Sequence, residues 1–278
     1  MIDPPLRIVF CTNGGLHGAL VLGRLLASPQ VRIVGIVLSS RLLRASYGFW
    51  RGAFEYWRLS GLAYTAYLWC STSVANVLLG FSPVLSASAC ARRNAIPRCA
   101  TRNINDAGSR AFVERLAPDL LVSAFFNQRI DASPSSLPRL GAINIHPSPL
   151  PDFRGVDPIF FASLGRCAEL GVSIHRIANE FDAGNVLRRE TQPARSDESV
   201  FWATARLYDR GGELLVTALD DIAQGERGVA QPAGGRYDSW PTRKQIAQLR
   251  RQGGKLVRMR DLLNLFRGRL PRNESRVR

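Results

Sequence analysis

The stretch "RIVFCTNGGLHGALVLGRLLA", Arg7 to Ala27, decides the fold class. Its first four residues are a short apolar run, "CTNGG" interrupts them, and "LHGALVLGRLLA" continues with apolar residues at helical spacing. "VRIVGIVLSS", Val31 to Ser40, then reads as a second buried strand. Strand, glycine turn, helix and strand make a βαβ opening. Gly14, Gly15 and Gly18 do not follow the G-x-G-x-x-G spacing, so a dinucleotide fingerprint is absent. Two readings of the turn stay open, a phosphate cradle at the helix N-terminus and a plain tight turn. On the first, Asn13 and Gly14 are candidate substrate-binding residues.

Three later runs are of the same kind, namely "DLLVSAFF" (Asp119 to Phe126), "GAINIH" (Gly141 to His146) and "GVSIHRI" (Gly171 to Ile177). Short, unalternating strands between helical segments imply a Rossmann-like α/β fold, a mostly parallel sheet with helices on both faces. Ligands in such sheets gather at the carboxyl ends of the strands. Asn144 and His146 stand at such an end.

Apolar residues are 46% and charged residues 21% of the 278, which is globular composition and enough chain for a large core. The formal net charge of +15 favours anionic partners: phosphate, nucleic acid, a polyglutamate tail or an acidic membrane surface. Cys11, Cys70, Cys90, Cys99 and Cys167 are scattered and form no C-x-x-C pair, which argues against a disulfide framework and a zinc site. No metal is expected. "MIDPPLRIVF" lacks the basic start and long apolar core of a signal peptide, so a cytoplasmic protein is expected. Nothing in the sequence fixes the oligomeric state.

Two segments depart from the strand-helix alternation. Residues 41 to 102 read as an insertion rich in aromatics, among them Trp50, Trp57, Trp69 and Tyr64, with no charge from Gly61 to Ala89. Ser, Thr, Asn and Gly dilute that stretch, so packed helices over the core are expected before an interfacial hairpin, and a membrane span last. The first 225 residues are then one catalytic domain containing this insertion. Residues 226 to 278 form a basic extension with Leu256, Leu262, Leu263, Leu265 and Phe266 on one helix face. It reads as a helix docked on the domain, or as an arm for an anionic surface.

"NIHPSPLPDFRG", Asn144 to Gly155, carries the chemistry. Pro147, Pro149 and Pro151 stop the strand, because proline fixes φ and lacks an N–H. Residues two apart on a strand share a face, so the Asn144 amide and the His146 imidazole converge on one point. A neutral donor beside a group that exchanges a proton near neutral pH suits an oxyanion at a carbonyl under attack. No serine or cysteine nucleophile stands nearby in a recognisable motif, so the substrate itself is the attacker. "ANEFDAGNVL", Ala178 to Leu187, offers Asp182 on a loop as a third component, with Glu180 close enough to compete.

"NIHPSPLPDFRGVDPIFFAS" followed by "ELGVSIHRIANEFDAGNVL" resembles the folate-dependent formyltransferases, both the methionyl-tRNA and the sugar N-formyltransferase kinds. The resemblance implies that Asn144 and His146 polarise the formyl group of 10-formyltetrahydrofolate, and that Asp182 holds His146 and takes up the amine proton. It further implies that Phe126, Asn127, Gln128, Arg129 and Ile130 border the pterin, that Ala178, Asn179 and Glu180 close over it, and that Arg154 and Gly155 approach the acceptor. Bulky Phe125 stands where the family usually has glycine, which implies a reshaped folate pocket. His17 and His175 have no catalytic counterpart and are expected at the surface or in packing.

The leading expectation is transfer of formyl to a primary amine of a small biosynthetic acceptor: an amino sugar nucleotide, an amino acid or a siderophore precursor. The alternatives are methionyl-tRNA, favoured by the positive charge, and water, as in formyltetrahydrofolate hydrolases. Against tRNA, the extension reads as helix and not as the β-barrel of the tRNA enzymes. Against water, the sheet begins at Arg7, without the regulatory domain that hydrolases carry. The basic and aromatic additions leave contact with an anionic membrane open.

Overall fold

A computed structural model describes residues 4–44, 46–82, 84–131, 138–232 and 236–271. The chain opens with β1 (Leu6–Thr12), α1 (Gly15–Ala27) and β2 (Val31–Ser39), the βαβ unit legible in the sequence. Alternation along β1 sends Ile8 and Phe10 to one face and Val9 and Cys11 to the other, and all four are fully buried. Both faces are therefore covered, and each such side chain contributes about 1.5–3 kcal/mol of burial.

The aromatic segment folds as α2 (Phe49–Ser60), α3 (Leu62–Trp69), a π-helical turn at Cys70–Val74, α4 (Ala75–Leu78) and α5 (Ala87–Arg93). Its last residues, Arg98–Thr101, are not insertion at all. They form β3, which pairs with β2 at the edge of the sheet. After α6 (Ala107–Leu116) come β4 (Leu120–Ala124), β5 (Ala142–His146), the two-residue β6 (Arg154–Gly155), α7 (Pro158–Leu164), β7 (Glu169–Arg176) and β8 (Val186–Pro193). The long α8 (Val200–Ala223) packs against α1 over the larger of two core clusters.

The seven-stranded sheet runs β3-β2-β1-β4-β5-β7-β8. Pairs from β3 to β5 are parallel, whereas β7 is antiparallel to β5 and β8 to β7. "GVSIHRI" thus belongs to an antiparallel strand; its apolar run alone did not encode direction.

The basic extension adds β9 (Tyr237–Asp238), α9 (Arg243–Arg251) and α10 (Met259–Phe266), while residues 272–278 of the tail lie outside the described residues. The helix face expected from Leu256 onward is shorter than that, because Leu256 precedes α10. The extension is docked, not loose. Ser199 caps α8 by accepting from the Trp202 N–H at 3.1 Å, and its hydroxyl donates to buried Asp261 of α10 at 2.5 Å. Among the described residues, no helix is long and apolar enough to cross a membrane.

Two helical glycines separate propensity from packing. A Cβ at Gly23 of α1 would meet nothing within 4 Å, so Gly23→Ala should stabilise by up to about 1 kcal/mol. A Cβ at Gly211 of α8 would lie 2.5 Å from Ile145 Cγ2 and 2.9 Å from Val172 Cγ2. Overpacking there costs about 1–3 kcal/mol, more than the helix gains, so Gly211→Ala should lower the urea midpoint. Equal midpoint shifts for the two variants would contradict this packing of α8 on the sheet.

Candidate active site

β5 ends at His146 because Pro147 follows, and the proline loop beyond it is pinned from below. The Ser173 hydroxyl of β7 donates to Ser148 O at 2.7 Å and accepts from the Leu150 N–H at 3.0 Å. Ser148 Oγ donates to Asp152 O at 2.8 Å. The loop then returns Phe153 O to within 3.1 Å of His146 Nε2.

Asp182 enters from the loop after β7 with φ of +54°, a left-handed conformation that is uncommon outside glycine. Its Oδ2 accepts from the Gly155 N–H at 2.9 Å. Oδ1 faces His146 Nδ1 at 3.5 Å and His175 Nε2 at 3.7 Å. Gly155 itself sits at φ of +111° with a Cβ position only 2.1 Å from Asp238 O, so no other residue fits between β6 and β9. Asp182, and not exposed Glu180, is the carboxylate that reaches the histidines.

His175 corrects the sequence expectation. Only 2% exposed, it lies in β7 directly opposite Asn144 of β5. Its Nδ1–H donates to Arg176 O at 2.9 Å, which leaves Nε2 as an acceptor for the Asn144 Nδ2–H at 3.1 Å. Burial pushes its pKa down to about 4, against an opposing pull from Asp182. A neutral His175 therefore fixes the direction of the Asn144 amide and leaves that amide a second N–H. His17 does act in packing, fully buried, with its ring 4.5 Å from that of Phe125 and 5.3 Å from that of Phe201.

A cleft of about 70 Å³ opens beside these groups, bordered by Phe126, Gln128, Arg129, Ile130, Ala178 and Glu180 as well as Asn144, His175 and Asp182. Six of the eight residues expected around a pterin are thus present. Asn127 instead turns its amide to Arg41 O and Leu42 O, at 2.7 and 3.2 Å, and Asn179 is exposed outside the cleft. A far larger depression, about 2330 Å³ between α1, α8 and the extension, contains none of the convergent groups, so size does not identify the site.

The backbone donors of the turn at Asn13 and Gly14 are already engaged within the protein. Gly14 is buried, the Asn13 N–H donates to Phe125 O at 2.7 Å, and the Gly15 N–H is taken by Asn76 Oδ1 of α4 at 3.1 Å. A Cβ at Gly15 would stand 2.2 Å from Ser71 O, so the turn seats the insertion. Phe125 does not fill the cleft either. At φ of +51° it occupies the backbone region that suits glycine, and its ring turns toward His17 and Tyr208.

Arg154 is buried, and both its contacts are with Gln231 Oε1, at 2.9 and 3.3 Å. The same Gln231 amide donates to Asp182 O at 2.9 Å and Gly184 O at 2.7 Å. One side chain of the extension therefore ties β6 to the Asp182 loop. Strand alternation could have flagged His175, which shares its face with Ser173. No local signal pointed to Gln231. Among the described residues, no group of three or more His, Cys, Asp and Glu side chains is placed to hold a metal.

Burial also lowers the pKa of His17 to about 4 and raises that of Asp157 to about 6. Between roughly pH 4 and 6.5 the unfolded chain binds protons at both histidines that the native state refuses, while native Asp157 retains one. The two histidines outweigh the one carboxyl. Stability should therefore fall as pH drops from 6.5 toward 4, and His17→Leu should flatten that slope in pH-dependent urea titrations. An unchanged slope in the variant would contradict a neutral, buried His17.

Residues 83–219 match the formyl transferase family. The methionyl-tRNA formyltransferase of Anaplasma marginale is 31% identical over 148 residues, 53% of this chain and 49% of that protein. That of Bordetella pertussis is 37% identical over 119 residues, 43% of this chain and 38% of that protein. The chain thus spans half or less of the length of these curated relatives. Among solved structures, the phosphoribosylglycinamide formyltransferase of Anaplasma phagocytophilum aligns over 84% of this chain and 98% of its own, with a TM-score of 0.55 and 17% identity. The N-formyltransferase of Helicobacter canadensis, in complex with folinic acid and dTDP-3-aminofucose, covers 84% of this chain and 71% of its own at a TM-score of 0.53 and 16% identity. The resemblance read from the motifs is borne out, and these structures share the Rossmann-like fold.

Proposed function

We propose that this chain is an N-formyltransferase that moves the formyl group of 10-formyltetrahydrofolate to a primary amine of a small biosynthetic acceptor, such as an amino sugar nucleotide, an amino acid or a siderophore precursor. The observation that carries this reading is the convergence of Asn144, His146 and Asp182 at the end of β5, with His175 fixing the Asn144 amide. The cleft suits a folate-type donor. Its walls combine apolar Phe126 and Ile130 with polar Gln128 and Asn144, and a pterin would lie between residues 126–130 and the 178–180 loop. When bound, the folate supplies a formyl group on a nitrogen able to leave.

The residues of the chain do the rest. The second Asn144 N–H donates to the carbonyl oxygen as charge develops there. His146 is oriented by Phe153 O on one nitrogen and by Asp182 on the other, so its ring is held in one orientation. Asp182 receives the proton that an attacking amine sheds, a proton that has to end on the departing folate nitrogen, and the Gly155 N–H keeps that carboxylate in place. Methionyl-tRNA remains the second reading, favoured by the net charge of +15 and by the tRNA enzymes among the relatives. Residues 226–278 are read as an extension of a catalytic domain spanning 1–225, with Gln231 as its contribution to the site.

Incubating the protein with 10-formyltetrahydrofolate and a panel of amines, methionyl-tRNA included, should release tetrahydrofolate and formylated product in equal amounts. Tetrahydrofolate without formylated product would indicate hydrolysis. His146→Ala and Asp182→Asn should each lower kcat by at least about a hundredfold with folding intact, since both act on the transition state. Wild-type turnover in either variant would remove the mechanism. Gln231→Ala should lower kcat with little change in the KM for folate, because it positions Asp182 without bordering the cleft.

A further inference from the structure

The inner side of the aromatic segment is explained by packing. Tyr64 donates to Asp157 at 2.9 Å, Tyr56 donates to Leu42 O at 2.6 Å, and Asn127 holds Arg41 and Leu42. The outer side is not. In α2, Phe49, Trp50, Phe54 and Trp57 fall within an arc of about 140° at 100° per residue, and all four are exposed, Trp50 to 83%. Buried Gly52, Tyr56 and Ser60 fall at about 300°, 340° and 20° on the same count, so the inward face adjoins Phe49 while Trp50, Phe54 and Trp57 turn outward. This is an amphipathic helix that turns apolar side chains to the outside.

The surface continues along the next helical run. Leu62, Ala66 and Trp69 follow one another at helical spacing on α3, Val77 stands on α4 beyond the π-helical turn and exposed Ser73, and all four are exposed, Leu62 to 72% and Val77 to 68%. Exposed Phe81 then meets exposed Phe266 of α10, with ring centroids 5.2 Å apart. Between Arg58 and Arg92 the sequence has no charged residue. A continuous apolar surface of this kind marks a contact with something less polar than water.

Cations stand beside it. Arg44, Arg51, Arg243, Lys244, Arg250 and Arg251 are exposed, and none has a carboxylate partner among the described residues. Arg51 lies over the Tyr47 ring at 4.4 Å and Arg243 over the Trp57 ring at 5.1 Å. Three occupants can be weighed by charge. A second copy related by a two-fold axis would set these cations against themselves. A nucleic acid needs cations along the whole contact, and the Leu62 to Val77 stripe has none. An anionic bilayer satisfies both features, taking aromatic and aliphatic side chains into its interface while its headgroups meet the arginines.

We propose that α2, α3 and α4 seat the protein on the surface of an anionic bilayer. The seat is joined to the catalytic site through Tyr64 and Asp157, two residues beyond Gly155, whose N–H holds Asp182.

The test uses the full chain, without folate or acceptor, and vesicles of phosphatidylcholine with and without phosphatidylglycerol. Cosedimentation should require the anionic lipid and weaken as salt rises. The paired substitution of Trp50→Glu and Phe54→Glu should reduce vesicle binding at least about tenfold, a difference of about 1.4 kcal/mol. Both positions are exposed, so the thermal unfolding midpoint and turnover on a soluble amine should be unchanged. Arg44→Glu with Arg51→Glu should remove the dependence on anionic lipid.

The proposal fails if the wild-type chain stays in the supernatant at low salt, or if it binds vesicles as well after the Trp50 and Phe54 substitutions. A dimer or an RNA complex that those substitutions abolish, with no vesicle binding, assigns the face to that partner and also overturns it. Vesicle binding is read without catalysis, so its failure and the failure of the transferase reading are separate results.

Discussion

The antiparallel pairing of β5 with β7 is the constraint on which the site depends. Its register sets Asn144 against His175 and His146 against Ser173. Each pair joins a candidate catalytic residue to one that supports it: His175 orients the Asn144 amide, and Ser173 fastens the proline loop that returns Phe153 O to His146. A slip of β7 by one residue would turn His175 and Ser173 to the other face and leave Asn144 and His146 without them. The switch from parallel to antiparallel at this point is therefore part of the chemistry as well as of the topology.

The second support comes from outside the sheet. Asp182 is in a left-handed conformation on an otherwise exposed loop, which nothing local would hold in one place. The Gly155 N–H takes one carboxylate oxygen, and the Gln231 amide takes the backbone carbonyls of Asp182 and Gly184. β6 is only two residues long and is paired by β9 of the extension. A short strand, a glycine and one glutamine thus restrict a carboxylate that must keep its distance from two imidazoles. Preorganisation of this kind matters because a charge held by protein groups need not wait for solvent to reorganise.

The insertion joins these two supports to the surface. Asn76 of α4 accepts from the Gly15 N–H in the first βα turn, and Tyr64 of α3 meets Asp157 beyond β6. A turn that serves phosphate groups in other α/β folds is here the seat of a helical layer. Phe125 follows the same logic: its left-handed backbone and its contact with His17 direct a bulky ring away from the cleft.

Sequence alone determined the βαβ opening, because alternation and helical period are local properties of β1, α1 and β2. It also determined the pair Asn144 and His146 at a strand end, since proline cannot continue a strand and residues two apart share a face. Asp182 was within reach of a motif at fixed spacing. Tertiary structure decided what depends on partners distant in the chain. His175 looked like an unattached histidine until β7 was laid antiparallel beside β5, and strand direction is not written in an apolar run. Arg98–Thr101 could not be told from the insertion preceding it, because four residues joining the edge of a sheet have little pattern of their own. Asn13 and Gly14 carried a plausible phosphate turn whose backbone donors bond within the protein, to Phe125 O, Thr12 Oγ1 and, at Gly15, Asn76 Oδ1 of α4. Gln231 had no signal, since a glutamine acquires a role only from the carbonyls that folding brings within 3 Å of its amide, as it does here at 2.9 and 2.7 Å.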